Sequence, residues 1–379
     1  MTTRRGAIAT TAIVVAAIGL GMYVGTATLS LSTPSARPSL ALASPPTPRP
    51  TPNPSPVTGP DGLTVYPLGT IPEDSRIVVS GDAGDERLLL LDVANRRVRL
   101  LAHFDGFGAF KEGRVIELTS NSSGLLVICL RSAGPLARLY YVRPGTGDIR
   151  SYTIPTAENP RLSPDGATLA VSRNALADQK GLWLLNTSDG TGRRITTDVG
   201  RRATRAVQWS ADGSRLSALL DQLNFTRELV VVGIDGTVSA SLGTAADARW
   251  RGEDLYFWTF LAPGPVSLLH AGAVSNVYLP PPGTTISFNE LRPRSKDLAM
   301  RLSTQTTTPR LVLYDGATGA TTQLVADATW VIALWWSADA TKLYAWILDK
   351  DTTFVREVFS GEDVLTFCFR NKIDPPCGG

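Results

Sequence analysis

The sequence predicts an all-β protein, a β-propeller of four-stranded antiparallel blades, on three observations. Residues 160–196 contain four short strand patterns in a row, separated by turn-forming residues. Weaker copies of this unit recur on both sides at steps of roughly forty to fifty residues, the period of a propeller blade. Residues 61–379 divide into seven such units. Seven blades are therefore expected, with six as the alternative because the first and fifth units are irregular.

The unit at 160–196 shows how its strands are specified. Ser163–Gly166, a Ser-Pro-Asp-Gly turn, follows a short apolar strand, and its residues suit a tight turn that closes a hairpin. Leu182–Leu185 is apolar on both faces, as in a strand that is covered on both sides. Repetition of both features favours a propeller over one hairpin in a β-sandwich. The turn recurs as Ser210–Gly213 and Ser337–Ala340, and the apolar block as Leu88–Leu91, Leu139–Val142, Leu229–Val232 and Leu311–Tyr314.

These repeats carry a family resemblance. Leu162–Gly166, followed by Leu169–Val171 and Leu182–Asn186, resembles the WD40-like repeat of TolB-type propellers. The resemblance is strongest over 160–220 and 327–348, and Ala340 departs from it by replacing the turn glycine. It implies a bacterial extracytoplasmic β-propeller that works by contact with other proteins.

Residues 1–28 predict a membrane anchor or a signal peptide. Arg4 and Arg5 precede an apolar run over 7–25, which as a helix nearly matches the hydrocarbon thickness of a bilayer. The positive-inside rule keeps these arginines in the cytoplasm and places the following chain outside. The expectation is one uncleaved span in the cytoplasmic membrane, and the alternative is a protein secreted after cleavage near Ala27.

Residues 29–60 predict a disordered linker rich in proline, serine and threonine, and residues 61–379 the propeller domain. Ten prolines lie between positions 34 and 60. Proline fixes φ and removes a backbone donor, so this segment favours an extended spacer over helix or sheet.

The charge distribution argues against nucleic-acid binding. The whole chain has a formal net charge of +3, but residues 1–60 contain four arginines and no acidic residue. The remaining 33 basic and 34 acidic residues leave the propeller nearly neutral. The propeller therefore lacks the excess of basic residues that binding to a phosphate backbone requires, and no nucleic-acid partner is expected. The protein is also expected to be a monomer.

Residues that carry chemistry are scarce, so the predicted function is binding without catalysis. The two histidines, His103 and His270, are far apart in repeat phase, and neither metal-ligand spacing nor a Gly-x-Ser-x-Gly elbow occurs. No cofactor is predicted. The expectation is a membrane-tethered module that binds a protein, a peptide or a cell-envelope component. The alternative is a propeller-type hydrolase, similar to a lactonase or glycosidase, that acts through carboxylates on the axis.

The partner is predicted to bind the propeller face that carries the longer loops, because loops on a rigid scaffold usually carry recognition. Aligning the repeats places four residues at one equivalent position of successive inner strands; they are Arg161, Gln208, Arg249 and Glu290. The alternative is that Arg249 and Glu290 pair between blades and the loop arginines are only solvated. The candidate partner-binding residues are Arg161, Arg201, Arg202, Arg205 and Arg249.

Cysteine and tryptophan positions give two structural predictions. Cys368 and Cys377 are close enough in sequence for a disulfide in an extracytoplasmic location, with free thiols as the alternative, and Cys129 is expected to be a buried free thiol. The tryptophans at strand positions are expected to pack between blades; they are Trp183, Trp209, Trp250, Trp258 and Trp346.

Overall fold

Seven small antiparallel sheets form the propeller in the computed structural model. The structure describes residues 55–80, 87–104, 114–120, 125–131, 136–155, 158–173, 181–195, 204–221, 227–259, 264–349 and 352–368. The expected seven blades are confirmed. The predicted N-terminal apolar helix and most of the predicted linker lie outside the described residues.

The strands follow the order of the chain. Blade 1 contains β1 (Val57–Thr58), β2 (Leu63–Val65), β3 (Arg76–Ser80), β4 (Arg87–Asp92) and β5 (Arg97–Phe104), with a 3-10 helix at Pro60–Gly62. Blade 2 contains β6 (Arg114–Ser120), β7 (Leu126–Arg131), β8 (Leu136–Arg143) and β9 (Asp148–Pro155). Blade 3 contains β10 (Glu158–Leu162), β11 (Thr168–Arg173), β12 (Gly181–Asn186) and β13 (Gly192–Arg194). Blade 4 contains β14 (Thr204–Trp209), β15 (Arg215–Asp221), β16 (Arg227–Gly233) and β17 (Val238–Thr244).

The last three blades repeat this pattern. Blade 5 contains β18 (Asp247–Arg251), β19 (Asp254–Trp258), β20 (Val266–His270) and β21 (Ala273–Tyr278). Blade 6 contains β22 (Thr285–Leu291), β23 (Leu298–Ser303), β24 (Arg310–Tyr314) and β25 (Thr321–Val325). Blade 7 contains β26 (Val331–Trp336), β27 (Leu343–Asp349), β28 (Thr352–Glu357) and β29 (Asp363–Cys368). In blades 2 to 7 each strand pairs with the next, and β10 contacts β6 and β14, β14 contacts β18, and β22 contacts β26.

The five strands of blade 1 do not follow the order of the chain in their sheet. The sheet order is β1-β2-β5-β4-β3, so β2 lies on the outer side and β3 is the innermost strand. β2 pairs with β5 through Leu63 opposite Phe104 and Val65 opposite Ala102. A simple meander in chain order would instead have placed β2 on the axis.

The ring closes between blades 7 and 1 through side chains, since within the described residues each sheet contains strands of one blade only. The Trp335 indole donates to Asp74 O at 3.2 Å, and Ala338 N donates to the Asp74 carboxylate at 2.7 Å. Arg76 Nη1 donates to Leu334 O at 3.4 Å. β3 therefore begins beside the end of β26 and runs opposite to the other inner strands.

Among the described residues, the apolar core consists of seven clusters, one at each interface between neighbouring blades. Alternating strand residues face opposite sides of a sheet, so each blade supplies residues to two interfaces. Confirming the prediction, the five tryptophans named above all pack at these interfaces. Cys129 is a buried free thiol, also as predicted.

The repeated turn is held by a shared hydrogen-bond pattern. Ser163 Oγ donates to Asp165 at 2.5 Å and accepts from Thr168 N at 3.0 Å, while Gly166 has a φ of 76°. Ser210–Gly213 and Ser337–Ala340 repeat this arrangement. Ala340 keeps the left-handed conformation, at a φ of 63°, without glycine.

No helix in the described part of the chain is long and apolar enough to cross a membrane. The span predicted at 7–25 lies outside that part.

Candidate functional site

Four charged side chains from three blades interact electrostatically around the axis. Arg76 begins β3, Asp247 and Arg249 lie on β18, and Glu290 lies on β22. All three strands are the innermost strands of their sheets. We call Arg76, Asp247, Arg249 and Glu290 the axial cluster.

Glu290 is the most confined carboxylate of the cluster. Burial raises its pKa, Asp247 adds to the increase, and the positive charges of Arg249 and Arg76 oppose it. Its side chain is enclosed by protein yet retains partial solvent contact, as expected for a residue that lines a narrow channel. Among the described residues none donates a hydrogen bond to this carboxylate.

Arg76 connects the axial cluster with the closure of the ring. Besides its bond to Leu334 O, its guanidinium lies 5.3 Å from the centre of the Trp335 ring. Burial lowers the pKa of Arg76, whereas the nearby Glu290 raises it. A guanidinium nevertheless stays charged at neutral pH, so Arg76 supplies a desolvated positive charge.

Arg249 is held by its own strand. Its Nη1 lies 2.8 Å from Asp247 Oδ2 and donates to Ala248 O at 3.1 Å. The guanidinium also lies 5.8 Å from the centre of the Trp258 ring. These contacts fix the group in place, and they hold Asp247 next to it as a paired carboxylate.

The axial cluster combines two fixed guanidinium groups with one paired and one unbonded carboxylate. Guanidinium groups in such positions bind carboxylate or phosphate oxygens, and Glu290 can donate or accept according to its protonation. Perturbed groups in a concave site are typical of binding or catalysis, although structural ion pairs also produce them. In the described residues no three His, Cys, Asp or Glu side chains lie close enough to hold a metal ion.

The structure brings some of the predicted site residues together. The charge of Arg249 lowers the pKa of Glu290 in the neighbouring blade, whereas the ion pair that Arg249 forms is with Asp247 on its own strand. Arg161 lies at the expected place on β10, where its Nη1 donates to Pro160 O at 2.9 Å and its own carbonyl accepts from the Trp209 indole at 2.8 Å. Three further candidates cannot be placed: residues 201, 202 and 377 lie outside the described part of the chain.

The strand positions of two further predicted residues are established: Arg205 lies on β14 and Cys368 ends β29. The predicted arginine surface and the predicted disulfide stay predictions.

Sequence reasoning missed Arg76 and Asp247. Arg76 was hidden because the aligned repeats do not show that β3 replaces the usual first strand on the axis of blade 1. Asp247 could have been found from its position two residues before Arg249, because alternate residues of a strand share a face.

The chain matches no protein-family model and no curated protein. Solved structures share its fold. Oligogalacturonate lyase from Vibrio parahaemolyticus has a TM-score of 0.55 at 12% identity, covering 79% of this chain and 85% of that chain. A second similar structure is the β-propeller domain of the Trilobed protease from Pyrococcus furiosus, which has an open velcro topology. Its TM-score is 0.51 at 11% identity, and the match covers 65% of this chain and 81% of that domain.

TolB from Acinetobacter baumannii is also similar, with a TM-score of 0.42 at 16% identity, covering 75% of this chain and 76% of that chain. The seven blades confirm the propeller that the resemblance to TolB-type repeats implies. An acylaminoacyl peptidase from Pyrococcus horikoshii gives a TM-score of 0.49 at 14% identity over 65% of this chain. The chain spans only 45% of that peptidase. Identities this low show a shared fold alone.

Proposed function

We propose that this chain is an extracytoplasmic interaction module, tethered to the membrane, whose propeller binds a polar or anionic group of a protein, peptide or envelope component. The observation that carries the proposal is the convergence of the axial cluster from blades 1, 5 and 6. Residues 7–25 supply the tether and residues 29–60 the spacer.

The energetics of the axial cluster favour a ligand-binding role. Burying charged groups is costly unless they are paired and hydrogen-bonded. Arg249 has its carboxylate partner in Asp247, but Glu290 has no hydrogen-bond donor among the described residues. A ligand that carries both an acidic group and a donor would satisfy the guanidinium groups and Glu290 together.

Photo-crosslinking in the cell envelope tests this proposal. One crosslinking residue replaces Gln208 on the inner strand β14, and a control replaces Val238, which is 53% exposed on the outer strand β17. We expect a discrete crosslinked envelope component from position 208 and none from position 238. Crosslinking from position 238 alone would contradict binding at the axis.

A second candidate function, a propeller-type enzyme, is favoured by one observation. The two axial carboxylates differ in environment, because Asp247 is ion-paired with Arg249 whereas burial raises the pKa of Glu290. Such a difference can divide acid and base roles between two carboxylates. The similar fold of the lyase makes oligogalacturonate the first substrate to test, followed by lactones. Turnover that Glu290→Gln abolishes, and that Arg310→Gln on the exposed side of blade 6 preserves, would support this candidate over binding alone.

The proposed topology has its own test. Reporters that are active only outside or only inside the cytoplasm are fused to the C-terminus of the full chain. Activity from the external reporter alone is expected, and activity from the cytoplasmic reporter alone would refute the extracytoplasmic location.

A further inference from the structure

A polar cleft lies away from the axis, between blades 2 and 3. Its volume is about 430 Å³, within the range of small-molecule sites. Blade 2 supplies Tyr141, Arg143, Asp148 and Arg150, and blade 3 supplies the turns at 165–167 and 186–188. None of these residues belongs to the axial cluster.

The strand register explains why the blade 2 residues share one wall. Tyr141 pairs with Arg150, and Arg143 pairs with Asp148, across β8 and β9. Directly opposed residues project from the same face of a sheet, as do residues two apart on one strand. All four side chains therefore lie on the face of blade 2 that faces blade 3.

Tyr141 carries a buried polar atom that the fold leaves unsatisfied. The residue is only 3% exposed, and its hydroxyl has no hydrogen-bond partner among the described residues. The neighbouring Tyr152 ring packs against Tyr141 edge to face at 5.5 Å, but its hydroxyl donates to Ser188 O. A buried hydroxyl without a partner is costly, and a ligand in the cleft would remove this cost.

The two arginines of the cleft are also available. No carboxylate in the described residues lies within ion-pairing distance of Arg143 or Arg150. The two aspartates are engaged locally: Asp148 accepts from Thr146 Oγ1 at 2.9 Å, and Asp165 accepts from Ser163 Oγ and from Ala167 N. Each carboxylate keeps further lone pairs, which can accept hydroxyl groups of a ligand.

We propose that this cleft binds a small polyhydroxylated anion, an acidic sugar or a sugar phosphate. The guanidinium groups of Arg143 and Arg150 hold the anionic group, the Tyr141 hydroxyl donates to one of its oxygens, and Asp148 and Asp165 accept ligand hydroxyls. The shared chemistry is one anionic group beside several hydroxyl groups. This proposal is independent of the function proposed for the axial cluster.

Calorimetric titration of the full chain with four probes tests the cleft. D-glucuronate and glucose 6-phosphate represent the two sources of the anion, while D-glucose lacks the anion and inorganic phosphate lacks the hydroxyls. We expect saturable millimolar binding of D-glucuronate, of glucose 6-phosphate or of both, and much weaker binding of glucose and of inorganic phosphate. Binding of neither anionic sugar, or equal binding of a control probe, would overturn the proposal.

Three variants assign the binding to the cleft. Replacing Arg143 and Arg150 together by Gln should weaken binding at least about tenfold, because charge-assisted hydrogen bonds are lost. Tyr141→Phe should weaken it about three- to tenfold while the variant unfolds no more easily, since it removes an unsatisfied hydroxyl. Arg310→Gln, at an exposed arginine on blade 6, should bind as the parent does. Unchanged affinity in the double arginine variant, or in Tyr141→Phe, would refute the assignment.

Discussion

Two turn glycines of blade 4, Gly213 and Gly236, should differ sharply in their tolerance of alanine. Gly213 and Gly236 both adopt a left-handed backbone, with φ values of 71° and 96°. At Gly213 an added Cβ would meet only Pro164 Cδ, at an ordinary distance of 3.7 Å. At Gly236 the same atom would lie well inside the van der Waals radius of the Ile195 carbonyl oxygen, in the preceding blade.

The magnitudes follow from these surroundings. A left-handed conformation costs an L-residue about 1–2 kcal/mol, and replacing glycine restores about 0.4–1 kcal/mol by restricting the unfolded chain. Gly213→Ala should therefore lower the free energy of unfolding by about 0.5–1 kcal/mol. Gly236→Ala adds a clash with the backbone, and overpacking of this kind costs about 1–3 kcal/mol. The free energy of unfolding should therefore fall by about 2–4 kcal/mol in total.

Urea unfolding followed by tryptophan fluorescence measures both variants under identical conditions. The expected result is a small decrease in the midpoint for Gly213→Ala and a clearly larger one for Gly236→Ala, with similar slopes. Equal losses would show that the turn of blade 4 does not approach blade 3 as the structure has it.

Three further predictions concern pH and ring closure. Hydrogen bonds from Ser210 and Ser214 lower the pKa of Asp212 from its ordinary value of 3.8 to about 2. The stability that ionised Asp212 contributes is therefore fully present above pH 3.8 and is lost as the pH falls towards 2. Ser210→Ala should make the free energy of unfolding depend less steeply on pH in that window, as measured by urea unfolding at several pH values. Because burial raises the pKa of Glu290, ionisation destabilises the fold as pH rises above the ordinary value of 4.5, and Glu290→Gln should remove that loss in urea titrations at several pH values. Asp74→Ala removes the hydrogen bond from Ala338 N and should lower the free energy of unfolding by about 1–3 kcal/mol. Arg96→Ala breaks an ion pair between half-exposed side chains and should lower it by less than about 1 kcal/mol. Equal decreases in the melting temperature of the two variants would contradict closure of the ring through Asp74.

The fold could be predicted because its signals are local. Ser163–Gly166 and its copies combine a serine, an aspartate and a left-handed residue that bond one another, so the turn is specified within a few residues. Ala340 shows that the serine and aspartate bonds keep the turn without glycine.

The order of strands in blade 1 could not be predicted in this way. The apolar pattern of Leu63–Val65 predicts a strand but not its place in the sheet. An inner and an outer strand at this point would differ only in the strand with which they pair, and the structure pairs β2 with β5. That choice decides which strand faces the axis, and it placed Arg76 in the axial cluster. The cluster depends on contacts between blades that are distant in the chain, so the repeat alignment found Arg249 and Glu290 but not the whole site.

Binding at the axis is tested most directly by the affinity of the purified full chain for the component crosslinked from position 208. Arg249→Gln removes one axial charge and its pairing with Asp247, and Arg310→Gln removes an exposed charge on blade 6. The account predicts at least tenfold weaker binding for Arg249→Gln, which is ~1.4 kcal/mol, and parental affinity for Arg310→Gln. Parental affinity in Arg249→Gln would contradict the axial cluster as the binding site.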